Sequence, residues 1–207
     1  MCIRDSTGTT RGRFIVFEGG DGSGKSTQSR LLSEELGAVL TREPGGTTIG
    51  EKIRTIVLDP ENSELHARTE ALLMAAARAQ HVAELIEPTL ANGTNVVCDR
   101  FLASSLAYQG VARGLGIEVV ATVNSLALAN LQPDLTILLR VPADAARERM
   151  DRDHDRIEQA ELDDVVVETY ANLAAAEPER WLVIEAEGSI DDIHAQIRSA
   201  VTERLDL

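Results

Sequence analysis

The chain has 207 residues, 43% of them hydrophobic, enough for one globular domain with a full core. A net charge of −14 excludes non-specific binding of a nucleic-acid polymer, which needs an extended basic surface, although a few converging cations can still hold a small polyanion. No apolar run approaches the ~20 residues of a membrane span, and Cys2 and Cys98 stand in no metal or redox spacing; a reducing, cytoplasmic setting is the expectation, with Cys98 a core thiol.

Residues 1–12 lack the apolar core of a signal peptide and read as a disordered or non-native tail. Residues 13–207 read as a single domain. Phe14 to Phe17 form an apolar strand that ends at Glu18 and drops into Gly19-Gly20-Asp21-Gly22-Ser23-Gly24-Lys25-Ser26-Thr27. The string fits G-x-x-x-x-G-K-[ST], a phosphate-binding loop between a buried strand and a helix. Glycines let the backbone N–H groups converge on one anion, and the helix that opens near Lys25 adds its positive dipole end. Lys25 is placed to reach the β- and γ-phosphates of a nucleotide, and the Ser26 hydroxyl to ligate Mg²⁺. Lys25 stands where a dinucleotide fingerprint would need its third glycine, so that reading fails.

A helix over 26–36 stops at Gly37, and 38–41 is a short strand followed by the loop Arg42-Glu43-Pro44-Gly45-Gly46-Thr47. Residues 50–58 read as a helix with Ile53, Ile56 and Val57 inward. The spacing over 68–90 predicts one long helix, with Leu72, Ala76, Ala79, Ala83 and Ile86 as its apolar stripe. A buried strand over 95–98 ends at Asp99-Arg100, helices follow over 102–111 and 117–131, and 135–139 is another strand. Pro142 opens a helix, 147–158 is dense in charge, a further helix runs to about 176, and strand 181–184 precedes a helix capped by Ser189. Strands alternating with helices imply a parallel sheet covered on both faces, with ligands outside the carboxyl ends of its strands.

Several groups of residues suit chemistry at that edge. Asp99 at a strand terminus can hold Mg²⁺ and Arg100 can fork onto a phosphate, but a structural Asp–Arg ion pair fits the position equally well. Met74 and Arg78 share a helix face with Ala71 and Val82; Arg78 either snorkels along this apolar stripe or finds acceptors on the edge of a flat base. Ser105, Tyr108 and Gln109, at i, i+3 and i+4, offer a hydroxyl, a phenol and an amide to one side. Arg149, Arg152 and Arg156 either line a solvated face or supply a cation over a transferring phosphoryl group. The histidines 66, 81, 154 and 194 form no ligand spacing and read as incidental.

Taken together, these segments resemble the thymidylate kinase family. The residues that carry the resemblance are Phe17-Glu18-Gly19 with the loop to Thr27, Thr41-Arg42-Glu43-Pro44-Gly45-Gly46-Thr47, Thr69-Glu70-Ala71-Leu72-Leu73, Asp99-Arg100-Phe101 and Ser104-Ser105-Leu106-Ala107-Tyr108-Gln109-Gly110. The resemblance implies a P-loop nucleoside-monophosphate-kinase-like α/β fold: a five-stranded parallel sheet, helices on both faces and a short lid at about 147–158. It implies transfer of the ATP γ-phosphoryl group to dTMP with Mg²⁺, in dTTP biosynthesis, by a homodimer with no nucleic-acid or membrane partner. Gly19 to Thr27 would bind ATP, with Ser26 and Asp99 at the metal and Asp21 near the deoxyribose 3′-hydroxyl. Arg42, Arg54 and Arg100, with Glu43 beside them, would surround the dTMP phosphate. Arg78 would meet the thymine edge, Met74 its face, and Ser105 and Gln109 would lie near the base, with Tyr108 against the sugar. Glycine at position 22 implies a catalytic arginine from the lid, either Arg149 or Arg152. Two departures stand out. Met74 replaces the family's usual phenylalanine, and the stretch between Glu158 and Tyr170 is shorter than in the family.

Overall fold

A computed structural model of the chain describes residues 11–142, 157 and 163–207. Five parallel strands lie in the order β2-β3-β1-β4-β5: β1 Phe14–Glu18, β2 Val39–Arg42, β3 Val96–Asp99, β4 Leu135–Arg140 and β5 Trp181–Glu185. β1 sits in the centre and is buried throughout, as a strand that is apolar up to its last residue, Glu18, must be between two helical layers. Successive side chains of a strand point to opposite faces. Ile15 and Phe17 therefore join Val97, Ile137, Ile197 and Val201 on one side of the sheet, while Phe14 and Val16 join Val96, Cys98, Ile86 and Phe101 on the other.

Register positions the chemistry. Phe17 pairs with Asp99 and Asp99 with Arg42, so the chain leaves β1, β2 and β3 at one level. The three loops foreseen at the strand ends thus open at one edge of the sheet. The loop after β1 runs into α1, Lys25–Leu36, through Gly24 at φ 90°. Gly19, at φ +146°, cannot be replaced without cost: a Cβ there would lie 2.5 Å from the Leu139 carbonyl oxygen. After β2, Thr47 caps α2, Thr48–Leu58, by accepting from the Gly50 N–H.

The long helix expected over 68–90 is present as α3, Ala67–His81, continued by a π-helical segment, Val82–Ile86, into α4, Glu87–Ala91. Its apolar stripe is not the one expected. Ala71, Met74, Ala75, Arg78, His81 and Val82 are buried, whereas Leu72 is 59% exposed and Ala76 and Ala83 also face outward. In a helix this rich in alanine several stripes satisfy the same periodicity, so spacing alone does not choose between them. Ile56 is likewise turned outward.

After β3 a short α5, Leu102–Ser105, passes into a π-wound segment, Leu106–Ala112, instead of continuing as α-helix. Helix α6 is Ile117–Leu128, and α2 packs on α3 and α3 on α6. Beyond residue 142, α7 covers Asp163–Ala176 and α8, capped by Ser189, covers Ile190–Leu205. The helix expected to open at Pro142 and the lid, apart from Ile157, lie outside the described residues. Arg11 and Gly12, assigned above to the tail, are anchored: Arg11 pairs with Asp134, and the Gly12 N–H donates to the Leu90 carbonyl.

Candidate active site

A cavity of about 690 Å³ opens at the carboxyl edge of the sheet, within the usual range for small-molecule sites. The phosphate-loop residues Asp21 to Thr27 line it, together with Arg42, Glu43, Arg54, Met74, Arg78, Asp99, Arg100, Tyr108 and Gln109. Gly19 and Gly20 form the start of the loop behind that wall. Ser105 is buried and reaches the site only through Arg78, to which its Oγ is bound at 3.1 Å. Arg149 and Arg152 lie outside the described residues.

At the loop, the Lys25 ammonium donates to the Gly20 carbonyl (2.7 Å) and lies 3.9 Å from Asp21. Arg100 reaches the same place from β3. Its guanidinium forms an ion pair with Asp21 and donates to the Gly19 carbonyl (3.3 Å), Ser104 Oγ (3.2 Å) and the Tyr170 hydroxyl (3.2 Å), with the Tyr108 ring 5.4 Å away. In place of a structural Asp99–Arg100 pair, the structure has Arg100–Asp21.

Arg100 holds φ at 69°, a left-handed conformation that costs a non-glycine residue on the order of 1–3 kcal/mol and persists only where its surroundings enforce it. The Arg100 N–H donates to the Phe17 carbonyl at 2.9 Å, and Glu18 ties down the residues that follow. Fully buried, its carboxylate accepts from the N–H groups of Phe101 (3.0 Å) and Ser104 (3.2 Å) and from the Ser104 hydroxyl (2.7 Å). Burial nonetheless raises the Glu18 carboxyl above its ordinary range, against the opposing pull of Ser104, Arg100 and the Phe101 N–H.

Asp99 turns towards the loop instead. Its Oδ2 accepts from Ser26 Oγ at 2.5 Å, while its Oδ1 is buried without a protein partner. A hydroxyl and a carboxylate with a spare buried oxygen, beside a phosphate cradle, make a hard-oxygen donor set that fits Mg²⁺. That ion takes one or two protein oxygens and completes its shell with phosphates and water, so the lack of a cluster of three or more His, Cys, Asp or Glu among the described residues is no mismatch.

Further along the cavity Arg78 is 1% exposed. The acceptors a buried guanidinium requires come mainly from the protein. Nε donates to Glu43 (2.8 Å), Nη2 to the Phe101 carbonyl (3.0 Å) and to Ser105, and Nη1 to Asn124. The Phe101 ring lies 5.2 Å from its carbon. By the donor count of a guanidinium, one N–H on Nη1 is left over. Glu43 is buried, and its other oxygen meets His81 Nδ1 at 2.9 Å, while His81 Nε2 meets Thr41 Oγ1 at 2.7 Å. His81 is thus no incidental histidine but a fully buried brace. This packing explains the glycine at position 46, since a Cβ there would lie 2.6 Å from both His81 and Thr41.

Arg42 binds Glu51 at 2.9 Å and Arg54 the Pro44 carbonyl at 2.9 Å, both on the cavity wall. Tyr108 donates to Asp21 at 3.2 Å, and Gln109 donates its amide to Glu70 at 2.8 Å. Sequence reasoning missed Glu18, His81, Asn124 and Tyr170. Tyr170 is one of only two tyrosines in the chain, and both touch Arg100.

Burial and the neighbouring Arg100 push Lys25 down to about 8, against Asp21, Asp99 and Glu18. Burial works to raise the Asp21 carboxyl, but Arg100 and Lys25 outweigh it and hold it below the usual range. Lys25 therefore carries its full charge only below pH of about 8 in the free protein and loses it as the pH rises further. With Lys52 replaced by arginine, Lys25 is the one lysine of the chain. Its side-chain NMR signal in that variant should titrate near pH 8 and move upward when a polyphosphate binds; protonation persisting above pH of about 10, the ordinary lysine range, would contradict this description.

Comparison with known proteins gives the family. Residues 17–197 match the family model described as thymidylate kinase. The chain is similar to the thymidylate kinases of Symbiobacterium thermophilum (48% identical over 200 residues, covering 93% of this chain and 94% of that protein) and Pelotomaculum thermopropionicum (48% over 206 residues, 95% of each). It is also similar to the crystal structure of thymidylate kinase from Ehrlichia chaffeensis, with a TM-score of 0.76 and 30% identity, covering 92% of this chain and 99% of that one. The chain belongs to the thymidylate kinase family.

Proposed function

We propose that the cavity at the strand ends carries out the reaction of this family, transfer of the ATP γ-phosphoryl group to dTMP to give dTDP and ADP in nucleotide biosynthesis, with the following residue roles. The observation that carries the reading is the Arg100 guanidinium, held beside the Gly19 carbonyl and Asp21 at the mouth of the phosphate loop. An acceptor phosphate bound there lies next to the donor phosphates. Gly19 to Thr27 hold the donor through backbone N–H groups and Lys25. Arg100, Arg42 and Arg54 hold the phosphate of dTMP. That phosphate is an anion at neutral pH, so no strong general base is required; the protein contributes orientation and charge neutralisation. Ser26 and Asp99 would hold Mg²⁺, which supplies charge neutralisation on the donor phosphates when bound. Asp21, paired in the free protein with Arg100 and near Lys25, keeps both cations at the mouth until phosphate takes its place.

Met74 and Arg78 form the base end of the cavity. Arg78 offers its remaining Nη1 hydrogen to the thymine O4, and Met74 covers the ring with a polarizable thioether in place of an aromatic face. Glu43, with both oxygens engaged by Arg78 and His81, supports Arg78 and does not itself touch the base. Tyr108 lies between Asp21 and Arg100 and faces the sugar. Gln28, Gly188, Ile190 and Ile193 line the same cavity and form its adenine end. The catalytic lid arginine is Arg149 or Arg152, as the glycine at position 22 implies within the family. No helix among the described residues is long and apolar enough to cross a membrane, and the reading places the reaction in the cytoplasm.

The reading includes a homodimer. Helices α2, α3 and α6 pack side by side, and they expose Ile49 and Ile56, Leu72, and Ile117, Val119 and Leu126, the last at 90%. An apolar surface on three adjacent helices is what a second copy would cover. Light scattering should give the mass of two chains, and a monomer across the micromolar range would contradict the pairing. For the activity, parallel turnover assays with dTMP, dUMP, dCMP, dGMP and AMP should rank dTMP first by about tenfold or more in kcat/KM, as a polar base pocket can discriminate. Preference for a purine acceptor would overturn the assignment.

A further inference from the structure

Glu70 lies on α3, one turn before Met74, and is fully buried. A buried carboxylate this close to a substrate cavity requires partners. Arg113, its Nε 3.5 Å from Oε1, balances the charge. The same Oε1 accepts from Gln109 Nε2 at 2.8 Å. Gln109 itself is 1% exposed and lines the cavity with Met74 and Arg78. Its carbonyl oxygen is buried and has no protein partner. Polar atoms in that state are rare and call for an explanation.

The two ends of an amide cannot exchange roles once one is fixed. A carboxylate paired with arginine only accepts, so the NH₂ group of Gln109 must face Glu70 and its carbonyl oxygen must face away. We infer that Glu70 is a positioning residue that sets the polarity of the base pocket, holding Gln109 so that a lone acceptor meets the donor N3–H of thymine. The inference rests on the proposal that Met74, Arg78 and Gln109 receive the base. Arg78 then supplies a donor and Gln109 an acceptor, which complements the O4 and N3–H of thymine. Cytosine presents the opposite pair, an amino donor and an N3 acceptor, and meets donor against donor and acceptor against acceptor. Glu70 thereby contributes to the choice between pyrimidines without touching either one.

The test is Glu70→Gln, which keeps the shape but offers Gln109 either a donor or an acceptor, so that its amide is free to turn over. Steady-state turnover is measured with dTMP, dCMP and N3-methyl-dTMP for both proteins, after matching thermal melts. The variant should lose about tenfold in kcat/KM for dTMP through KM, with kcat kept within about threefold, the scale of one hydrogen bond lost in binding. The ratio of dTMP to dCMP efficiency should fall by about tenfold. A variant that loses efficiency for both substrates in parallel, or that keeps the ratio, overturns the inference, because a purely structural role moves both together. Should the single variant not fold once Arg113 loses the Glu70 carboxylate, Glu70→Gln with Arg113→Gln carries the same expectation and the same refutation. N3-methyl-dTMP reports on the underlying reading separately. If the unaltered protein uses it as well as dTMP, Gln109 does not meet N3, and the base assignment fails whatever Glu70 does.

Discussion

A carboxylate cut off from solvent holds the site together. Glu18 ends the central strand and ties down the loop that leaves β3, accepting from Phe101, from the Ser104 N–H and from the Ser104 hydroxyl. Together with the Arg100 N–H, which donates to the Phe17 carbonyl at 2.9 Å, those bonds hold Arg100 at a positive φ beside the phosphate loop. The burial that raises the Glu18 carboxyl shows that holding a charge there is costly, and the hydrogen bonds offset that cost. One buried anion on β1 thus fixes a cation on the neighbouring strand beside the glycines that follow β1 itself. Tyr170, on α7, adds a second hold through Ser104 and Arg100.

Charge is distributed with the same economy. The molecule carries a net −14, yet Lys25, Arg42, Arg54 and Arg100 all line one cavity. Asp21 stands among them as an internal counter-ion, paired with Arg100 and 3.9 Å from Lys25. A phosphate that enters meets cations already oriented by protein contacts, which is the condition under which electrostatic stabilisation costs little reorganisation. Behind this front the Thr41–His81–Glu43–Arg78–Asn124 chain is a buried polar network in which each member bonds the next and one Arg78 N–H is left for the cavity. Such a network rigidifies its surroundings when complete.

How much of this was legible in the sequence depends on the range of the signal. Phe14 to Ser26 states strand, anion cradle and helix in one continuous stretch, and the parallel sheet follows from the alternation of elements. Asp99-Arg100 was legible as a strand end, but its spacing could not decide between an ion pair and separate tasks; that required Asp21 to be brought to Arg100 across 79 residues of sequence. His81 was passed over because its partners, Thr41 and Glu43, lie 40 and 38 residues away, and no local spacing encodes them. Its place three residues after Arg78, on the same buried face, was the available hint. Leu72 was misassigned to the core because an alanine-rich helix is apolar on every side, and burial is then decided by which neighbour packs where. The π-wound segment at Tyr108 and Gln109 left no mark in composition, and it is what turns these side chains toward Asp21 and Glu70.

The central claim is that Glu18 fixes Arg100 where acceptor and donor phosphates meet. A crystal structure with dTMP and a non-hydrolysable ATP analogue tests it most directly. The account predicts the dTMP phosphate within hydrogen-bond reach of the Arg100 guanidinium and next to the phosphate loop, with the Glu18 bonds to Phe101 and Ser104 intact. An Arg100 turned away from the loop while both nucleotides are bound would contradict it.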